Sequence, residues 1–329
     1  MEYALLQAVF LPLLLSPLAY IIGRKIGHTA ATWFTFGLLL YCTILIITAS
    51  IDDTYEEHYP WTELFGEFGL LLDGLAAPFA IMIYVLCTIL ALYSKPYMLH
   101  KFQDFFKEQA PKTVYQSDGT TLESLSLEKF VNRQSGVYYA LFLVFSMGML
   151  GTVLATNLIE FYIFFEVMLI PAFLLVGFWG DRPRRRIALM FFFWTHVGAV
   201  ILLLGLLAIG LNVGSFDFAD INEADIPTDV VVPAAVAIII GLGVKLAAFG
   251  FHIWLPYAHG SAPTPISALL SPAMIGIGAY ALFRLIVEFL PQTYADLSIW
   301  ITIWGVGTMF YGGAMALMQD DIKRVFAYS

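Results

Sequence analysis

The fold class predicted by this sequence is an all-α, polytopic transmembrane helix bundle, and three observations predict it. Hydrophobic residues make up 60% of the 329 and charged residues only 12%, with a mean hydropathy of +0.81. The apolar residues gather into nine stretches of about 20 residues, each long enough as a helix to cross a hydrocarbon core of ~30 Å. Lys and Arg, finally, cluster in every second connection between those stretches. Length alone would allow two soluble domains, an option the apolar stretches override.

Hydropathy places the spans at roughly 4–23, 30–50, 70–94, 136–155, 158–179, 187–211, 232–255, 265–290 and 296–318. The first follows Met1-Glu-Tyr-Ala, which has no basic region and no small-residue cleavage site, so it reads as a retained span and not as a removed signal. Gly23-Arg-Lys turns the chain into the second span, and an acidic loop from Asp52 to Glu67 leads to the third. The polar stretch from about 95 to 135 is long for a helix connection. Within it, Lys101-Phe-Gln-Asp-Phe-Phe-Lys107 has the pattern of a short amphipathic helix lying on the inner surface, the alternative being a solvated connector. Asp181-Arg-Pro-Arg-Arg-Arg186 is a basic turn after the fifth span, and an acidic loop, Asp217 to Asp229, precedes the seventh. The seventh contains Gly241, Gly243 and Gly250, followed by Trp254-Leu-Pro256, a composition poor for an uninterrupted helix; a broken helix is expected there.

The positive-inside rule sets the orientation. Arg24 and Lys25 follow span one; Lys95, Lys101, Lys107, Lys112, Lys129 and Arg133 follow span three; Arg182, Arg184, Arg185 and Arg186 follow span five; Lys323 and Arg324 follow span nine. All lie on one side, which places those loops in the cytoplasm and the N-terminus outside, in a cell (plasma) membrane. The two remaining basic residues, Lys245 and Arg284, fall inside spans. The net charge of −9 belongs mainly to outer loops and argues against nucleic acid as a partner. Cys42 and Cys87 sit alone in separate apolar segments and read as small buried hydrophobes. No metal, haem or iron–sulfur spacing occurs, so no cofactor is expected. The aromatic content of 16% reads as mostly lipid-facing and interfacial packing.

Function has to be sought in the polar residues that survive at depth, because a charge there costs several kcal/mol. Glu166 lies nine residues beyond Asn157, Lys245 twelve beyond Pro233 and His196 ten beyond Arg186, which at ~1.5 Å per residue puts all three near mid-membrane. At one level on neighbouring helices, an acid and a base stabilise each other's charge while desolvation opposes it, which poises the pair for proton exchange. His252, two turns beyond Lys245, and His259, beyond the proline, continue the string towards the inner face. Asp73, Glu160 and Arg284 fall near the outer ends of their spans; the carboxylates read as interfacial and the arginine as snorkelling.

From Lys245-Leu-Ala-Ala-Phe-Gly-Phe-His-Ile-Trp-Leu-Pro-Tyr-Ala-His-Gly-Ser-Ala-Pro-Thr-Pro-Ile-Ser267 the chain resembles the antiporter-like proton-translocating subunits of respiratory complex I. Asn157-Leu-Ile-Glu-Phe-Tyr-Ile-Phe-Phe-Glu-Val-Met-Leu-Ile-Pro171 and Gln319-Asp-Asp-Ile-Lys-Arg-Val-Phe-Ala-Tyr-Ser329 agree with this, and the form is similar to subunit M (subunit 4) of NADH:quinone oxidoreductase and to archaeal relatives. The resemblance implies about fourteen helices with two inverted five-helix repeats, each holding a broken helix. It implies that Glu166 and Lys245 are the coupling pair, that redox chemistry belongs to other subunits, and that this subunit binds no redox cofactor. Its partners would be further membrane subunits of a respiratory complex, including other antiporter-like ones. On this basis 1–135 carries three helices and a cytoplasmic loop, 136–290 one complete repeat, and 291–329 the start of a second. Multisubunit sodium/proton antiporters share the signature, so an antiporter subunit is the alternative, and a non-conducting scaffold a third reading.

Two departures qualify the resemblance. Gly276 stands where many relatives carry an eighth-span lysine, leaving His196, His252, Ser267, Ser271 and Tyr280, with water, as substitutes. A tenth helix over Asp321–Ser329 would be too short to cross, so the expectation is one half of a translocation unit, completed by the rest of a longer product or by a separate polypeptide.

Overall fold

The computed structural model describes residues 3–51, 54–62, 65–109 and 120–329; Asp52 and Lys112, counted above among the loop charges, lie outside them. Among the described residues nine helical stretches are long and apolar enough to cross a membrane, in agreement with the all-α bundle. Helix α1 (Ala4–Lys25) turns into α2 (His28–Ala49) at Gly27, whose φ of 130° is one that side chains rarely adopt. The acidic loop that follows is a hairpin of β1 (Tyr55–Thr62) and β2 (Gly66–Leu72), antiparallel, with Tyr55 opposite Leu72. Its Glu57 carboxylate accepts the backbone N–H groups of Leu5 and Leu6, both at 2.9 Å, and so caps the otherwise unsatisfied start of α1.

The hairpin corrects the expected start of span three. Leu70–Leu72 belong to β2, and α3 runs from Ala76 to Gln109 after the Asp73 carboxylate accepts from Leu75 N and Ala76 N. At 34 residues α3 is ~51 Å long and overruns a ~30 Å core. The stretch Lys101–Lys107 is therefore the protruding end of α3 and no separate surface helix. Its Phe102 is buried against His28, Tyr138 and Trp179.

Helix α4 (Thr120–Leu154) runs back through the bundle, packed on α1 so tightly that a Cβ at Gly23 would lie 2.5 Å from Gly136 Cα. Span five is two helices, α5 (Leu158–Val167) and α6 (Leu169–Trp179), parted at Met168. Pro171 has no N–H to offer the carbonyl of Val167, four residues earlier, which explains a break there. The Asn157 side chain caps α5 by accepting from Ile159 N at 2.8 Å. Next come α7 (Arg184–Val213), the short α8 (Phe218–Glu223) and α9 (Thr228–Lys245). The seventh span breaks over 246–253 and resumes as α10 (Trp254–Ser261), as its glycines and proline predict. Span eight comprises α11 (Thr264–Leu269), a π-helical turn Leu270–Ile275, α12 (Gly276–Leu282) and a second π-helical turn Phe283–Glu288. Helices α13 (Pro291–Leu317) and α14 (Ile322–Tyr328) close the described chain, and Thr293 is the one buried residue of α13.

Aromatic residues fill the interior more than the sequence suggested: Tyr84, Tyr138, Tyr139, Trp179, Trp254 and Tyr280 are all fully buried. Ion pairs gather the basic connections at one end of the bundle, Lys101 with Asp181, Arg182 with Glu108 at 3.0 Å, and Lys323 with Asp181 at 3.8 Å. Hairpin and α8 share the other end, where Asn157 Nδ2 donates to Asp217 Oδ1 at 2.7 Å.

Candidate ion-translocation site

Glycines set the level at which the deep polar residues meet. A Cβ on Gly198 would lie 2.6 Å from Val244 Cβ, and one on Gly241 would lie 2.6 Å from Gly198 O, so α7 and α9 approach almost backbone to backbone. This brings His196 of α7 and Lys245 of α9 alongside the end of α5. There the structure pairs Glu166 with His196: Glu166 Oε2 is 2.8 Å from His196 Nδ1, whose ring stacks on Phe192 at 5.6 Å and 7°. The second oxygen, Glu166 Oε1, is buried without a hydrogen-bond partner.

Lys245, 3% exposed, is the last residue of α9. Its Nζ stands 4.4 Å from the centroid of Phe165, the residue beside Glu166. No acidic oxygen lies within 4.0 Å of Nζ among the described residues, yet Glu166 is close enough to act on it electrostatically. The acid and the base are neighbours and not a contact ion pair.

The break after Lys245 is held open by tryptophans. Trp254 Nε1 donates to Val244 O at 2.9 Å, Trp304 Nε1 to Phe249 O at 2.8 Å, and Trp194 Nε1 to Phe251 O at 2.8 Å. Thr308 Oγ1 accepts from Phe249 N at 3.0 Å. Backbone groups freed at membrane depth must find partners inside the protein, and these side chains supply them. The left-handed residues Ala247 (φ 54°) and Gly250 (φ 92°) carry the turn.

Across the break the two remaining histidines stand apart from the Glu166 cluster, with no hydrogen bond to it among the described residues. His252 lies against Tyr311, ring centroids 4.6 Å apart, with Nδ1 buried and unpartnered. His259 Nδ1 is 2.8 Å from Ser267 Oγ, and its Nε2 is likewise buried and unpartnered. Gly276 faces Phe79 and Met82 and has no polar neighbour within 4 Å of a Cβ built there. Of the suggested substitutes, Ser267 joins His259, Ser271 is exposed, and Tyr280 is committed elsewhere.

At the opposite end two assignments, those of Arg284 and Glu160, are corrected. Arg284 does not snorkel: its side chain is 3% exposed, Nη2 donates to both oxygens of Asp73 at 2.8 Å, and Nη1 to those of Glu288 at 2.9 and 2.8 Å. Its Nε donates to Tyr280 Oη at 3.1 Å, and Tyr280 donates to Val153 O at 2.7 Å. Asp73, 22% exposed, is thus the half-buried partner of a buried guanidinium. Glu160 is not interfacial either; it is 1% exposed, with Oε2 3.3 Å from Gly69 N and Oε1 unpartnered. Sequence reasoning assigned each of these by its depth in a span, a measure blind to a neighbour 211 residues away.

Discontinuous helices gathered around an acid, an imidazole and an ammonium within their spans define a class: multi-pass membrane proteins organised around titratable groups at depth. The family is narrower. Residues 155–329 match the family described as NADH:quinone oxidoreductase/Mrp antiporter, TM, and the chain belongs to it. It is 30% identical over 300 residues to NADH-quinone oxidoreductase subunit M of Rickettsia bellii, an alignment covering 90% of this chain and 54% of that one. The chain spans about half the length of the curated relatives it matches. Its fold is similar to a chain of respiratory complex I from Thermus thermophilus (TM-score 0.76, 23% identity, 98% of this chain, 61% of that one). It is also similar to a chain of the Mrp complex from Dietzia sp. (TM-score 0.77, 18% identity, 100% and 57%).

Proposed function

We propose that this chain belongs to a proton-translocating membrane subunit of an energy-coupled, NADH:quinone-type oxidoreductase whose redox chemistry lies in other subunits. The carrying observation is the Glu166–His196 hydrogen bond beside a Lys245 that has no contact counter-ion. An aromatic face returns about 2 kcal/mol to a desolvated ammonium, while burying that ion costs several. Lys245 is under-compensated as long as Glu166 is turned to His196. When a charge change in an adjoining subunit draws Glu166 towards Lys245, the ammonium is held; when Glu166 returns to His196, Lys245 gives its proton towards His252 and His259. The unpartnered Nδ1 of His252 and Nε2 of His259 are the acceptors on that side. The basic connections face the cytoplasm and the hairpin faces outside, in the plasma membrane, with further antiporter-like subunits as partners.

The relatives' names favour this reading over a multisubunit sodium/proton antiporter, which the fold alone would equally support. Glu166→Ala and Lys245→Ala, each in the assembled complex, are expected to lower redox-driven proton uptake into vesicles at least about tenfold, the loss of roughly 1.4 kcal/mol or more of coupling. Undiminished pumping in both variants overturns the proposal and leaves a scaffold. Sodium-driven proton movement without quinone reduction would instead make the chain an antiporter subunit.

A further inference from the structure

We infer that the cavity between the ends of α3, α4, α6 and α7 binds an anionic phospholipid, with the phosphate on Arg184 and Arg185 and an acyl chain along Phe173, Phe178 and Leu189. The cavity encloses about 480 Å³, within the range of roughly 300–1,000 Å³ that small-molecule sites occupy. It lies where the basic connections gather, and its two ends differ in chemistry. Arg184 and Arg185 begin α7 at one end, while Phe173, Leu174 and Leu189 line the deeper end.

The cationic end is free to take a ligand. In the same turn Arg182 is paired with Glu108 and Asp181 with Lys101, so the local carboxylates are already used. Arg184 and Arg185 have no ion pair among the described residues, and Arg184 is held in place over the Phe105 ring, 4.4 Å from its centroid. Its planar fork suits two phosphate oxygens at once. The first amides of α7 add to this: Pro183 precedes them and offers no side-chain cap.

The apolar end decides between a lipid and a soluble anion. Leu189 is 46% exposed at the deep end and Phe178 49% nearer the arginines, so the cavity opens sideways on the flank of the bundle along its length. A free phosphate would leave that end uncovered, whereas a lipid already in the bilayer fills both ends without leaving it. Paired cations at the headgroup level next to an apolar slot are how anionic lipids are distinguished from zwitterionic ones.

The test uses the whole chain purified in mild detergent, titrated with phosphatidylglycerol or phosphatidylcholine of matched acyl chains, bound lipid being read by native mass spectrometry. Each basic residue near an anionic headgroup contributes roughly fivefold, so the wild type is expected to favour phosphatidylglycerol by about 25-fold. Arg184→Gln/Arg185→Gln should bring this to parity, and Arg182→Gln, whose guanidinium is occupied by Glu108, should leave it intact. Leu174→Trp, which fills the slot and keeps both charges, should lower occupancy by either lipid and serves if the double variant does not fold. Equal binding of the two lipids by the wild type overturns the inference, as does equal loss in the double variant and Arg182→Gln. So does a photo-crosslinker at Leu189 that in native membranes captures a polypeptide and not a lipid, which would make the cavity a subunit contact.

Discussion

Neutralising Asp73 and Arg284 together should cost the fold less than the sum of neutralising them singly, by about 2 kcal/mol. Arg284 is 3% exposed in its side chain, against 22% for Asp73 and 42% for Glu288. Asp73→Asn leaves the guanidinium buried with one counter-ion. Removing a buried ion's partner costs about 3–5 kcal/mol, and the retained Glu288 offsets roughly half of that. Arg284→Met leaves two carboxylates that both reach water, so its cost, about 2–3 kcal/mol, is mainly the lost packing and the unpaired Asp73. In Asp73→Asn/Arg284→Met neither stranded charge exists, and the coupling between the sites appears as the missing cost. The assay is reversible unfolding of the purified chain in mixed micelles with increasing denaturing detergent, followed by tryptophan fluorescence, for the wild type and three variants. An exposed ion pair would show about 0–1 kcal/mol. Additivity within ~0.5 kcal/mol, the behaviour of independent sites, would refute that coupling.

Two further outcomes follow from packing. Gly23→Ala should lower the thermal midpoint, costing about 1–3 kcal/mol, because its Cβ meets the Gly136 backbone at 2.5 Å and a backbone cannot rotate aside; Gly37→Ala, with nothing within 4 Å, should stabilise by up to ~1 kcal/mol. A drop of equal size for both would contradict the close approach of α1 and α4. Trp254→Phe removes one donor to the Val244 carbonyl, which keeps Ala247 N at 3.2 Å, and should cost about 0.5–1.5 kcal/mol in the same unfolding assay, while Trp300→Phe, at a residue 68% exposed, should change nothing measurable.

How far the sequence can be read depends on what enforces each feature. The nine spans are legible because bilayer thickness forces long apolar runs, and the break after Lys245 because Gly250 and Pro256 oppose a helix by themselves. Glu166, His196 and Lys245 stand out because a polar residue in such a run needs a reason. Who meets whom was not legible: Glu166 takes His196 and not Lys245, a choice set by the rotation of α5 and the Gly198–Gly241 approach. The early start assigned to span three has the same origin. Leu70–Leu72 are apolar in a strand and merge in hydropathy with the helix beyond Asp73, since a hydropathy window ignores hydrogen-bond direction. The aromatic content reads as mostly lipid-facing and interfacial packing, whereas Trp194, Trp254 and Trp304 are donors to backbone at the break, a role that depends on partners up to 57 residues away.

The two helix breaks differ in how they hold the charges beside them. α5 ends at Val167 and α6 starts at Leu169, so the negative end of one helix dipole abuts the positive end of the next and the two largely cancel around Glu166. α9 ends at Lys245 and α10 does not begin until Trp254, leaving the negative end of α9 uncancelled beside the ammonium. That end contributes about 0.3–2 kcal/mol towards a cation and holds it in place from the backbone side. The ring of Phe165 holds it from the other. Glu166 has neither kind of anchor: one oxygen is hydrogen-bonded to His196 and the other is unpartnered. Of the two charges, then, Lys245 is the fixed station. Under the proposed function, Glu166 is the group that moves at least cost, since a single hydrogen bond to His196 holds it.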